Sequence, residues 1–81
     1  MERTEVVDQL KEILLEILEL DELEMREDLT AAQVEGWDSL SHAMIIMEIE
    51  NRFEVKFSLR DINKLSDMGS LLDLIQAKHV N

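Results

Sequence analysis

Gly36-Trp37-Asp38-Ser39-Leu40 opens the stretch that decides the fold, because it joins a turn to a helical run that continues without a breaker to Phe53. Gly36 allows the backbone to turn sharply, and Asp38 offers a carboxylate to the unpaired N–H groups of a first helical turn. A helix is expected over residues 39–53. At about 100° per residue, Ile45, Ile46, Ile49 and Phe53 share one face with His42. Nearly opposite lie Leu40, Met44, Met47 and Asn51, with Ala43 alongside. A helix that is apolar on two sides is either deeply buried or a binding surface. A chain of 81 residues can hardly cover a helix all round, so the second stripe is expected to meet partners. The adaptable side chains of Met44 and Met47 suit that use. The opposing expectation is that Met47 packs on the long connection before the helix.

That connection runs from Leu20 to Asp38. Its Leu23, Met25, Leu29, Val34 and Trp37 recur often enough to hold it onto a core, and Thr30 with Gln33 has the spacing of a capping box. One short helical turn near residues 30–35, ending at Gly36, follows from this. A loop of such length in a small domain is often functional. Upstream, Val6, Val7, Leu10, Ile13, Leu14, Ile17 and Leu18 mark a helix over residues 5–19, with Thr4 as its expected N-cap. Downstream, Val55-Lys56-Phe57 is too short for a strand. Ser58 and Asp61 open a short helix expected to turn Leu59, Ile62 and Leu65 inward. Ser66 or Asp67 caps a last helix whose Met68, Leu71, Leu72 and Ile75 share a face, with Lys78 and His79 near its end. The expected fold is all-α: a small four-helix bundle of three main helices plus one short helix, with a long loop between the first two, forming one domain over residues 1–81.

Composition narrows the function. Aromatics make up 4% of the chain, so Leu, Ile, Val and Met must fill the core, and the absence of cysteine removes disulfides, thiolate metal sites and a cysteine nucleophile. A reducing cytoplasm is the expected location. Nineteen acidic against eight basic residues leave a net charge of −11, opposite in sign to a nucleic-acid binder and suited to salt-sensitive association with basic protein patches. The start, Met1-Glu2-Arg3-Thr4-Glu5, lacks a signal peptide's basic opening, and no segment reaches the roughly 20 apolar residues of a membrane span. A soluble protein without membrane insertion is expected.

Chemistry concentrates at Ser39. A serine at a helix start is exposed by geometry, and its hydroxyl lies at the positive end of the helix dipole, where a phosphate is favoured. On local pattern alone, Asp38-Ser39 reads as a capping pair. Asp-Ser-Leu at the head of a helix, after a long loop and before an apolar helix ending in Glu50-Asn51-Arg52-Phe53, resembles the acyl and peptidyl carrier protein family. The resemblance extends from the first helix to the last. It implies that a phosphopantetheinyl transferase moves a 4′-phosphopantetheine arm from coenzyme A onto Ser39, between Asp38 and Leu40, and that the thiol of the arm holds acyl or aminoacyl cargo for loading and acyl-transferring enzymes. It implies a monomeric carrier that catalyses nothing. Residues expected to meet the partners are Leu40, Met44, Met47, Glu48, Glu50, Asn51 and Glu54.

The chain departs from the pattern of fatty-acid carriers at Ser41 and Met44, where acidic residues are frequent, and at Arg52, which interrupts the usual acidic run. With Trp37 before Asp-Ser-Leu, it looks more like a specialised stand-alone carrier. His42 lies one turn after Ser39, but it projects toward the core stripe and is expected to be partly buried near the mouth of a cargo pocket; His79 is expected at the surface. Among other classes, Asp61, Asn63 and Asp67 suggest a calcium loop, yet position six is Ser66 instead of glycine and position twelve is Leu72 instead of glutamate. The alternative function is an unmodified helical adaptor using the Leu40–Met44–Met47 stripe.

Overall fold

The computed structural model describes residues 2–79; Met1, Val80 and Asn81, which complete the expected 1–81 domain, lie outside the described residues. Helix α1 spans Arg3–Ile17, α2 Ser39–Phe53, α3 Leu59–Asn63 and α4 Met68–Lys78, and one 3-10 turn, Ala31–Gln33, interrupts the long loop. Helices α1 and α4 both pack on a single core with α2, to which the loop adds Leu29 and Val34 and the α2–α3 segment adds Val55.

The first helix starts earlier than expected. Thr4 lies exposed inside the first turn, and the N-cap is Glu2, whose N–H donates to the Glu5 carboxylate at 3.4 Å. The periodic apolar positions locate the buried face but not the first hydrogen bond, because Glu can close a capping box as well as Thr. At the other end, Glu19 takes a left-handed conformation (φ 54°), and the Leu20 N–H reaches back to Leu15 O at 3.0 Å. Helix α2 stops in the same way at Glu54 (φ 55°), with the Val55 N–H on Glu50 O at 3.1 Å. These six-to-one bonds satisfy carbonyls that a helix end leaves open, and they usually place glycine where this chain has glutamate.

The loop turn forms as its capping box requires: the Thr30 N–H donates to Gln33 Oε1 at 2.9 Å. Just before this turn, the loop lies against the start of α4, where the N–H groups of Met68 and Gly69 donate to Leu29 O (2.7 Å) and Glu27 O (2.8 Å). Arg3 completes the joint, pairing with Glu27 (3.2 Å) and Asp73 (2.6 Å) and donating to Gln76 (2.7 Å). Of the expected caps for α4, Asp67 is the one used, accepting the Ser70 N–H at 2.9 Å.

Two downstream expectations change. Leu59 does not turn inward; it is 74% exposed, whereas Ile62 and Leu65 pack on the core. In this five-residue helix the side that carries the half-buried Ile62 meets the core, and Leu59 at the first position falls outside it. His79 is not simply a surface residue: it is half-buried, with its ring edge-on to Phe53 at 6.4 Å between centroids.

Candidate functional site

The turn before α2 is held by a small network. Gly36 takes φ +86°, a conformation that a side chain disfavours, and its carbonyl accepts the Ser41 hydroxyl at 2.7 Å. Asp38 Oδ1 accepts the Ser41 N–H at 2.9 Å, while the Asp38 N–H donates to Ser41 Oγ at 2.8 Å. The bond from the Ser41 backbone N–H is the main cause that holds the Asp38 carboxyl below the usual carboxylate range. The cap therefore uses Asp38 and Ser41. Ser39, the first residue of α2, stands exposed with its hydroxyl outside this network. The positive end of the helix is thus already met by the Asp38 carboxylate, and what the geometry gives Ser39 is an accessible hydroxyl rather than an empty anion cradle.

Trp37 anchors the turn. Its Nε1–H donates to His42 Nδ1 at 3.0 Å, and the two rings stack with centroids 6.1 Å apart. That bond leaves His42 Nδ1 as an acceptor, which places the imidazole in its Nε2–H form. Leu40 does not share the anchoring: it is 74% exposed, because the first turn of α2 directs it away from the core. A surface groove beside Ser39 is lined by Ala31, Trp37, Asp38 and His42. Behind Trp37 and His42 lies a half-open cavity of about 60 Å³ walled by Leu29, Leu65, Met68 and Leu71, with Ser66 and Asp67 also lining it. The cavity was legible only as a partly buried His42; its other walls come from segments far apart in sequence.

Along α2 the second apolar stripe is open, with Met44 48% and Met47 64% exposed, so Met47 does not cover the long loop. Asn51 and Glu54 are exposed beside it. Two of the acidic residues are otherwise engaged: Glu50 accepts the Phe57 N–H at 2.9 Å, and Glu48 pairs with Arg52 at 3.5 Å. The Asp61 carboxylate, which entered the calcium-loop spacing, accepts the Ser58 N–H and pairs with Lys78, both at 3.0 Å. No helix among the described residues is long and apolar enough to cross a membrane.

A family model described as phosphopantetheine attachment site matches residues 8–75, which spans most of α1, the loop, α2, α3 and most of α4. A curated acyl carrier protein from Thermotoga maritima is 32% identical over 76 residues, covering 94% of each chain. The solution structure of a holo acyl carrier protein from Geobacter metallireducens superposes with a TM-score of 0.84 at 32% identity, covering 90% of this chain and 84% of that one. The match spans the same helices that present Ser39 and enclose the core, and the chain belongs to the phosphopantetheine-bearing acyl carrier protein family.

Proposed function

We propose that Ser39 is the attachment point of the 4′-phosphopantetheine group and that the chain carries acyl cargo from it to partner enzymes. The observation that carries this is the division of labour at the head of α2, where Asp38 and Ser41 make the cap and the Ser39 hydroxyl is left accessible. When bound, the group supplies a terminal thiol for thioester formation, a function this cysteine-free chain lacks. Attachment forms a bond between Ser39 Oγ and phosphorus, breaks the pyrophosphate bond of coenzyme A and releases adenosine 3′,5′-bisphosphate. The hydroxyl proton passes to a base on the transferase. Asp38 and Gly36 hold the turn so that the hydroxyl can reach a second protein.

In this reading the chain is a carrier and not a catalyst. Its partners are the phosphopantetheinyl transferase and enzymes that load and receive the cargo. They would meet Leu40, Met44, Met47, Asn51 and Glu54, the exposed part of α2 and its end. The same reading places the chain in the cytoplasm, where coenzyme A is available to the transferase.

The test is intact mass after incubation with coenzyme A and a broad-specificity phosphopantetheinyl transferase, beside Ser39→Ala. Addition of one arm to the wild type and none to the variant is the expected result. No addition to the wild type, under conditions that modify a known carrier, would favour the unmodified adaptor.

A further inference from the structure

The groove at Ser39 and the core cavity share a wall. Ala31, Trp37 and His42 line both. Two of these three residues are joined by the Trp37 Nε1–H to His42 Nδ1 bond of 3.0 Å, with their rings inclined at 29°. Behind them the cavity measures about 60 Å³ and is mainly apolar. An apolar cavity of about 150 Å³ takes the six carbons of benzene, so this one holds roughly two or three carbon atoms.

We propose that Trp37 and His42 are a specificity-determining partition that limits the cavity to short acyl groups and keeps longer or polar cargo outside the core. The proposal rests on the carrier reading for its cargo. A longer chain that passes straight from the Ser39 groove through this shared wall has to break the Trp37–His42 bond and move the indole, which itself packs on the core. Once inside, it meets Leu29, Leu65, Met68 and Leu71 at close-packed density, so each carbon beyond the existing volume displaces a side chain. With the bond closed, the favourable burial of further methylenes is therefore not available to the cargo.

To test this, the apo chain is charged from acetyl-, butyryl-, octanoyl- and dodecanoyl-coenzyme A by the same transferase, with intact mass confirming each product, and the thermal midpoint of each form is recorded. In the wild type the midpoint should stay within about 2 °C from butyryl to dodecanoyl; in His42→Ala and Trp37→Phe it should climb by about 4 °C or more over that range. A wild-type midpoint that climbs with chain length, or variants that track the wild type, would overturn the partition. If mass shows no charging, the attachment reading fails and the partition is decided on the unmodified chain. Trp37 is the sole tryptophan, so acrylamide quenching reports on it directly. His42→Ala should raise the quenching, and His42→Asn, which keeps an acceptor near Nδ1, should restore it. Equal quenching in wild type and His42→Ala would count against the partition.

Discussion

Ser39 and Ser41 lie two residues apart in the same turn and have opposite fates. Ser41 is bound three ways, to the Asp38 N–H, to Gly36 O and through its own N–H to Asp38 Oδ1, and this frees Ser39. Ser41→Ala removes the two hydroxyl bonds, at a net cost of about 1 kcal/mol each. Urea unfolding should show a loss of roughly 1–2 kcal/mol, with Ser39 still modifiable but more slowly; unchanged stability would mean the cap does not hold the turn. Glu19 is the reverse case. Its left-handed backbone carries a penalty of about 1–2 kcal/mol for a residue with a Cβ. Glycine escapes that penalty but loses about 0.5–1 kcal/mol through the flexibility of the unfolded chain. Glu19→Gly is therefore expected to raise stability by about 0.5–1 kcal/mol, and a decrease in urea midpoint would contradict this account of the helix end.

Helix α3 shows how a short element depends on its ends. Its five residues cannot sustain helix formation alone, and Asp61 ties the start of α3 to the end of α4. It accepts the Ser58 N–H at the start of α3 and pairs with Lys78 of α4. The Ser58 backbone bond, followed by the bond with Lys78, brings the Asp61 carboxyl down to about 2. Because the folded value lies below the unfolded one, this contribution is complete above about pH 4 and is lost as pH falls toward 2. Amide protection in α3, corrected for the intrinsic exchange rate, should fall over that window in the wild type. In Asp61→Asn it should already be low at neutral pH and show less acid dependence; equal pH profiles would exclude the mechanism. Leu59 supplies a contrasting test: being exposed, its replacement by Ser should alter stability by no more than about 0.5 kcal/mol. Here the limits of sequence reading have a physical origin. Ser58 and Asp61 announced the helix through their capping spacing, and the 3.6-residue period marked the faces of α2 and α4. One turn of helix contains too few residues for that period to say which side is buried, and nothing local indicated that Lys78 would reach Asp61. At Ser39 the Asp-Ser-Leu context identified the accessible hydroxyl, whereas the Trp37–His42 bond and the cavity behind it depend on tertiary packing.

The whole molecule is held by one core and by the joint between the long loop and α4. Gly69 is the close point of that joint: a Cβ there would stand 3.1 Å from Glu27 O, which the Gly69 N–H already holds at 2.8 Å. Overpacking of about 1–3 kcal/mol outweighs a helix-propensity gain of about 1 kcal/mol, so Gly69→Ala should destabilise the chain, seen as a lower urea midpoint. Charge acts on the same scale. A net −11 is confined within extents of 32 × 25 × 22 Å, so at an ionic strength of about 0.01 M, where the Debye length is about 30 Å, nearly every carboxylate feels the others. Opposing this are ion pairs such as Arg3–Asp73 and Lys78–Asp61, which lie largely at the surface and are individually weak. Salt screens both, but repulsion among nineteen acidic residues facing eight basic ones is the larger sum. The thermal midpoint should therefore rise when sodium chloride increases from about 10 to 200 mM, as the Debye length falls below 10 Å. A falling midpoint would show instead that the Arg3 and Lys78 pairs contribute more than the net charge removes.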